Sequence, residues 1–321
     1  MKIGIFYENE STTWGPGKVA VNLKRGLEEL GIEYENNEKG DYNILLHGGS
    51  CVGIFLEKKL DPKKTLIGPC VEAFMGDNTI LSENYENYVA ASPWHKDLYE
   101  NYSKISKGEK TVFYWPCGID TEFYKPFEKA NKYHDYLLYD KNSHANYHYW
   151  LRDFFNDKGQ NMSYALGNTN YENIGLKAYS DCSKYCISAN ASETQGFGIM
   201  EIMSMNLPIF CLDKNYHWSY GLIASKVESS SCPYFSEECG IMLHMKDYVN
   251  DYQSKFDKIK PPCGDIIDYA KCNEEFKINL LKEKFDLFLN NLESYSPRQY
   301  ILDNHTLKRG AQKLIDIFEQ M

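Results

Sequence analysis

Short apolar segments alternate with amphipathic segments along almost the whole chain, and this alternation limits the fold more than any other feature of the sequence. Residues 2–7 (KIGIFY) form an apolar run that reads as a buried strand. Residues 18–30 (KVAVNLKRGLEEL) then place Val19, Leu23, Leu27 and Leu30 at helical spacing, with Gly31 as a C-terminal stop. Strand patterns follow at 42–46 (YNILL), 65–67, 87–91 (NYVAA) and 111–114 (TVFY). Ser92 and Pro93 suit the cap and first turn of a further helix. Residues 116–132 are rich in turn formers and charges and read as a linker. A second alternation begins beyond it. Strands are predicted at 136–139, 162–166, 185–188 and 207–212, with helices around 149–155, 174–179 and 198–205. Residues 213–265 are less regular, and helical patterns return at 274–292 and 307–318. This alternation of strand and helix argues for parallel sheets covered on both faces. The fold class expected is therefore α/β, with two Rossmann-like domains.

Composition removes several function classes. The 321 residues suffice for two domains, and a formal net charge of -10 disfavours nucleic acid as the main partner. No apolar run approaches the roughly 20 residues that span a bilayer, so no integral membrane segment is expected. The first strand gives way at once to Glu8, Asn9 and Glu10, unlike a secretion signal. The ten cysteines lack a zinc or redox spacing. Free thiols in the cytoplasm are expected.

The densest chemistry lies in residues 192–210, SETQGFGIMEIMSMNLPIF. Glu193 and Glu201 have seven residues between them, and Gly196 and Gly198 precede a helical segment that leads into a strand. The unpaired N–H groups of such a helix start, together with its dipole, suit a diphosphate. Glycines let the backbone approach a ligand closely. Two carboxylates flanking the turn suit vicinal hydroxyls of a sugar or ribose. Each also has an ordinary reading. Glu201 falls in the predicted first helical turn, where it could close a capping box, and Glu193 could be a solvated loop acid. Gly17-Lys18 is not a phosphate-binding P-loop, because Thr12 and Val19 stand where that motif needs Gly and Ser or Thr.

This stretch resembles the E-x7-E motif of retaining glycosyltransferases of the GT-B fold, family 4 in particular. Gly15-Pro16-Gly17-Lys18 and the helix after it are similar to the family's first glycine loop. Residues 89–93 (VAASP) resemble its V-x-x-S strand end, and residues 116–126 (PCGIDTEFYKP) its P-N-G-V-D linker, with Cys117 in place of Asn. The resemblance implies two domains facing a central cleft: an acceptor-side domain over 1–120, a nucleotide-sugar-binding domain over 127–295, and a C-terminal helix within 296–321 that crosses back. It implies that Glu193 bonds the donor sugar, that Glu201 binds the ribose, and that the backbone of Gln195, Gly196, Phe197 and Gly198 holds the diphosphate. Lys141 stands where relatives carry an arginine that neutralises the leaving phosphate. Relatives carry a second lysine shortly after it, whereas Ser143, His144, Ala145 and Asn146 follow here. Gly15 and Gly17 would approach the diphosphate from the other domain, or form a plain tight turn. His47, after a strand and before Gly48-Gly49, faces the same cleft if the strand ends align and is a candidate catalytic residue, with a packed or solvated histidine as its ordinary reading; Glu72 after Pro69 is a similar, weaker candidate.

No Asp-x-Asp motif occurs, so no metal and no cofactor is expected beyond a nucleoside-diphosphate sugar as donor substrate. The expected partners are that donor and a glycan or other hydroxyl acceptor, and the expected reaction is retaining hexosyl transfer. Two alternatives stay open: a sugar-nucleotide-binding protein without transfer activity, and a GT-B sugar-nucleotide epimerase.

Overall fold

The computed structural model describes residues 1–13, 15–47, 49–70, 85–102, 110–128, 130–141, 145–157, 159–166, 173–219, 225–258 and 266–321. The chain divides into two units, one of residues 1–120, 219–225 and 304–321, the other of residues 121–218 and 226–303.

The first unit is built on six strands: β1 (Lys2–Tyr7), β2 (Glu33–Asn36), β3 (Tyr42–His47), β4 (Thr65–Ile67), β5 (Asn87–Ala90) and β6 (Thr111–Tyr114). Their order across the sheet is β2-β1-β3-β4-β5-β6, and every pairing is parallel. Helices α1 (Gly15–Leu30), α2 (Gly49–Glu57) and α3 (Pro93–Tyr102) connect them. The helix predicted from residue 18 starts at Gly15 and stops at Gly31, whose φ of 67° only glycine adopts without strain. Strand β2 (EYEN) carries no apolar signal because it is a short edge strand whose side chains are exposed or half-buried. The C-terminal helix Leu307–Gln320, capped by the Thr306 side chain, packs on α1. Contact there is backbone to backbone: a Cβ on Gly26 of α1 would stand 2.3 Å from the Leu307 carbonyl oxygen, and one on Gly310 would stand 2.3 Å from the Gly118 nitrogen in the segment after β6. Trp115, fully buried, donates its indole N–H to the Gly310 carbonyl at 2.8 Å.

The second unit holds β7 (His134–Asp140), α4 (Ala145–Asn156), β8 (Met162–Leu166), α5 (Asn173–Cys182), β9 (Ser183–Ser188), α6 (Phe197–Ser204) and β10 (Ile209–Asp213). Next in the chain comes a two-stranded ribbon, β11 (Tyr216–Ser219) and β12 (Ser225–Glu228), and β13 (Gly240–His244) completes the second unit's sheet. The sheet order is β13-β10-β9-β7-β8, again all parallel. Its core is unusually aromatic, with Tyr136, Phe155, Tyr185, Phe210, Phe285 and Phe288 in mutual contact. The single helix predicted over 274–292 is two, Cys272–Glu275 and Ile278–Asn290. Phe276 breaks it: its backbone is extended and bridges Val249, and its buried ring stacks on Trp150 at 4.4 Å.

Both sheets share one consequence. In the first, strand order reverses between β1 and β3; in the second, between β7 and β9. Connections leave in opposite directions at such a point, opening a crevice at the carboxyl ends of the strands where ligands of α/β folds bind.

Candidate functional site

At the switch point of the second sheet, Lys141 follows β7 and residues 189–196 follow β9. The parallel ladder continues briefly past the strands: the Ala189 N–H donates to the Tyr139 carbonyl at 3.1 Å and the Ala191 N–H to the Lys141 carbonyl at 3.3 Å. Between them, the Lys141 N–H donates to the side-chain oxygen of Asn190 at 2.7 Å. The Glu193 N–H donates to the Ser230 carbonyl at 2.9 Å. These bonds bring together two charges 52 residues apart in sequence. The Lys141 ammonium lies 3.1 Å from Glu193 Oε1 and 3.2 Å from Oε2. The lysine side chain is 37 % exposed and the glutamate side chain 13 %. Burial pushes the Glu193 carboxyl above its ordinary range, and the adjacent ammonium partly offsets that rise. A solvated loop acid is therefore not what Glu193 is.

Helix α6 begins immediately beyond. Its N-cap is Gly196 at φ 65° and ψ 36°, in the left-handed region, with no side-chain cap. A Cβ at Gly196 would also meet the Pro233 ring at 3.1 Å, so the conformation favours glycine and the ring would have to shift slightly for any other residue. The main-chain N–H groups of Phe197, Gly198 and Ile199 precede the first intrahelical bond, which runs from the Met200 N–H to the Gly196 carbonyl at 3.1 Å. Gln195, Phe197 and Gly198 are buried around this turn. Glu201 is buried at 1 % exposure, but it is the fifth residue of α6, in the second turn. A capping box needs the third helical position, which Ile199 holds, so the capping role is corrected.

At the switch point of the first sheet, His47 ends β3, where the register with β1 shifts opposite Tyr7. The ring is 1 % exposed. Burial holds its pKa below the ordinary imidazole value, while Glu8 and the Asn9 backbone pull the other way. Gly15 and Gly17 differ. A Cβ on Gly15 would meet nothing within 4 Å, whereas one on Gly17 would stand 2.7 Å from the Ser11 nitrogen. Gly17 thus lets α1 pack against the loop after β1. Glu72 lies outside the described residues.

Other polar residues at these strand ends carried no sequence signal, because their partners are distant in the chain. Asp213, fully buried at the end of β10, accepts from the Ser231 N–H at 2.6 Å and pairs with Nδ1 of His244 across to β13 at 2.8 Å. That bond raises the His244 pKa. The Ser231 hydroxyl donates to the Asn190 carbonyl at 2.8 Å. Asp140 pairs with His148 at 3.2 Å. In the first unit, Glu10 accepts from Tyr7 and from Lys24 at 2.5 Å each.

Among the described residues no group of three or more His, Cys, Asp or Glu side chains is placed to hold a metal ion. Among them, too, no helix is long and apolar enough to cross a membrane.

No protein-family model matches this sequence, and no curated protein matches it. Solved structures do match the fold. AviGT4, a glycosyltransferase involved in avilamycin A biosynthesis, superposes with a TM-score of 0.55 over 99 % of this chain and 97 % of its own, at 10 % identity. The DNA-modifying enzyme β-glucosyltransferase, solved with and without its substrate uridine diphosphoglucose, gives a TM-score of 0.50 over 100 % of this chain and 99 % of its own, at 12 % identity. The two parallel α/β units are those of the GT-B glycosyltransferase fold.

Proposed function

We propose that this protein is a glycosyltransferase that moves a sugar from a nucleoside diphosphate to an acceptor hydroxyl. The observation that carries the reading is the Lys141–Glu193 pair beside the uncapped start of α6, at the switch point of the second sheet. A diphosphate bound there would meet first-turn N–H groups, the positive end of a helix dipole and one ammonium. In this reading Lys141 stabilises the departing diphosphate, Glu193 orients the donor sugar through its hydroxyls, and Glu201 bonds the ribose. Residues 127–295 form the donor side and residues 1–120 the acceptor side, with Gly15 and His47 at the crevice of that unit and the C-terminal helix returning to it. His47, kept neutral by burial, is suited to accept a hydrogen bond from the acceptor hydroxyl.

The transfer is proposed to be retaining and metal-independent. The bond from the anomeric carbon to the phosphate oxygen breaks, the acceptor oxygen attacks on the same face, and its proton passes to the departing phosphate. The phosphate charge would be balanced by Lys141 and helix amides. The acceptor is proposed to be a glycan or other small hydroxyl compound rather than DNA, because the net charge of -10 opposes a polyanion. A cytoplasmic location is part of the same reading. One observation favours sugar-nucleotide binding without transfer: the Lys141 charge is already compensated by Glu193.

A thermal-shift screen of nucleoside diphosphates and their sugars tests the reading. A ligand at 100 times its Kd stabilises by about 2.7 kcal/mol, a rise of roughly 5–10 °C for a domain of this size. Product analysis with and without acceptors then separates transfer from epimerisation and from binding alone. No shift with any nucleotide sugar would refute the proposal.

A further inference from the structure

We propose that Asn190 is a positioning residue, whose buried side-chain amide fixes the Lys141 main chain and thereby sets where the Lys141 ammonium stands relative to Glu193. The kinetic part of this inference rests on the function proposed above; the geometric part does not.

The argument starts from the parallel ladder. Strands β7 and β9 pair up to Tyr139 and Ser188, and the Ala189 N–H adds a rung to the Tyr139 carbonyl. Beyond that point the β9 chain must turn away to reach α6, so a main-chain carbonyl no longer faces the Lys141 N–H. Asn190 Oδ1 takes that place at 2.7 Å, and the ladder resumes for one bond when the Ala191 N–H reaches the Lys141 carbonyl. Lys141 is thus held on both its N–H and its C=O by the loop that carries Glu193, three residues past Asn190.

The residue that does this is held on both its side chain and its main chain. Asn190 is fully buried, its side-chain nitrogen donates to the Ser188 hydroxyl at 3.5 Å, and its main-chain carbonyl accepts from the Ser231 hydroxyl at 2.8 Å. Ser231 is in turn fixed to the end of β10: its N–H donates to Asp213, and its hydroxyl accepts from the Lys214 N–H at 3.1 Å. The loop is therefore tied to β7 by the Asn190 side chain and to β10 through Ser231. A long, half-exposed lysine loses much side-chain entropy when held in one place. Fixing its backbone removes part of the freedom that would otherwise spread the ammonium over many positions, and electrostatic stabilisation depends on such preorganisation.

Asn190→Leu keeps the shape and removes the acceptor. Asn190→Asp keeps the acceptor oxygen. Lys141→Met removes the ammonium and sets the scale. The first measurement is the titration of Glu193 followed by carboxyl-carbon NMR, with folding checked by thermal melting. Lys141→Met should raise the Glu193 midpoint, and Asn190→Leu should reproduce most of that rise. A wild-type midpoint in a folded Asn190→Leu overturns the proposal. The second measurement is donor turnover. Asn190→Leu should lower kcat about tenfold, as expected for one lost hydrogen bond, with a smaller change in KM. Asn190→Asp should recover most of it, and Asn190→Leu should cost nothing further in a Lys141→Met background. Effects that multiply in the double variant would show that Asn190 acts on the fold and not through Lys141, which also overturns the proposal. If the wild type turns over no nucleotide sugar, the functional reading fails while the Glu193 titration still decides the role of Asn190.

Discussion

Mild acid should destabilise the first unit through one side chain, His305. It lies just ahead of the C-terminal helix, and its carbonyl accepts from the Ile119 N–H at 2.9 Å. The ring is 5 % exposed, and burial pushes its pKa from 6.5 down to about 4. The fold thus favours the neutral imidazole, whereas the unfolded chain protonates near 6.5. The stability this group contributes is fully present above pH 6.5 and is lost as pH falls towards 4. The gap between those values corresponds to roughly 3 kcal/mol at 1.36 kcal/mol per unit. His47 is shifted in the same direction and His244 in the opposite one, so the bare pH profile is a sum. His305→Leu isolates the term, since the hydrogen bond to Ile119 is made by the main chain and survives. Urea unfolding is measured for wild type and variant at intervals from pH 7.5 to 4. The variant loses packing and starts lower, but the difference between the two should narrow or invert by roughly 3 kcal/mol across the range. Parallel profiles for the two proteins would refute the reasoning and show that water or a rearrangement reaches His305 before it is protonated.

Three further outcomes bear on the proposed reaction. Lys141→Ala should lower kcat by about 10²–10³ while weakening donor binding less, and Lys141→Arg should keep part of the activity, because the cation acts mainly on charge that develops as the diphosphate leaves; steady-state kinetics on folded variants checks this, and wild-type turnover in the alanine variant removes Lys141 from the mechanism. Glu201→Gln, which keeps the buried volume, should weaken nucleoside-diphosphate binding about tenfold or more by calorimetry, the size of a hydrogen bond to a charged group; unchanged affinity would leave Glu201 a buried structural acid. Donor turnover should persist in excess EDTA, and complete loss restored by Mn²⁺ or Mg²⁺ would overturn the metal-independent scheme.

The amino-acid pattern alone determined the alternation of strand and helix, and with it the parallel sheets. Runs such as KIGIFY and LPIFCL have few places to go other than a strand buried on both faces. Gly31 and Gly196 announced a helix end and a helix start, because backbone conformations that need glycine are written in the residue itself. The Glu193 to Glu201 spacing marked the candidate site for the same reason: its elements are contiguous. Two edge strands, β2 and β13, stayed unread, while β6 and β8, also at sheet edges, were predicted. β2 (EYEN) pairs on one side only and its side chains carry no apolar pattern, and β13 (GIMLH) lies within the less regular stretch 213–265. The break at Phe276 goes with its bridge to Val249 and the stacking of its ring on Trp150, contacts with residues distant in the chain. Glu201's place in the second turn of α6 depended on which residue took the cap. Above all, the sequence offered Lys141 and Glu193 as separate candidates, and it gave no sign of Asn190, Ser231 or the Asp213–His244 pair. Whether two side chains meet depends on which strands become neighbours and in what register, and those long-range choices exist only once the sheet has formed.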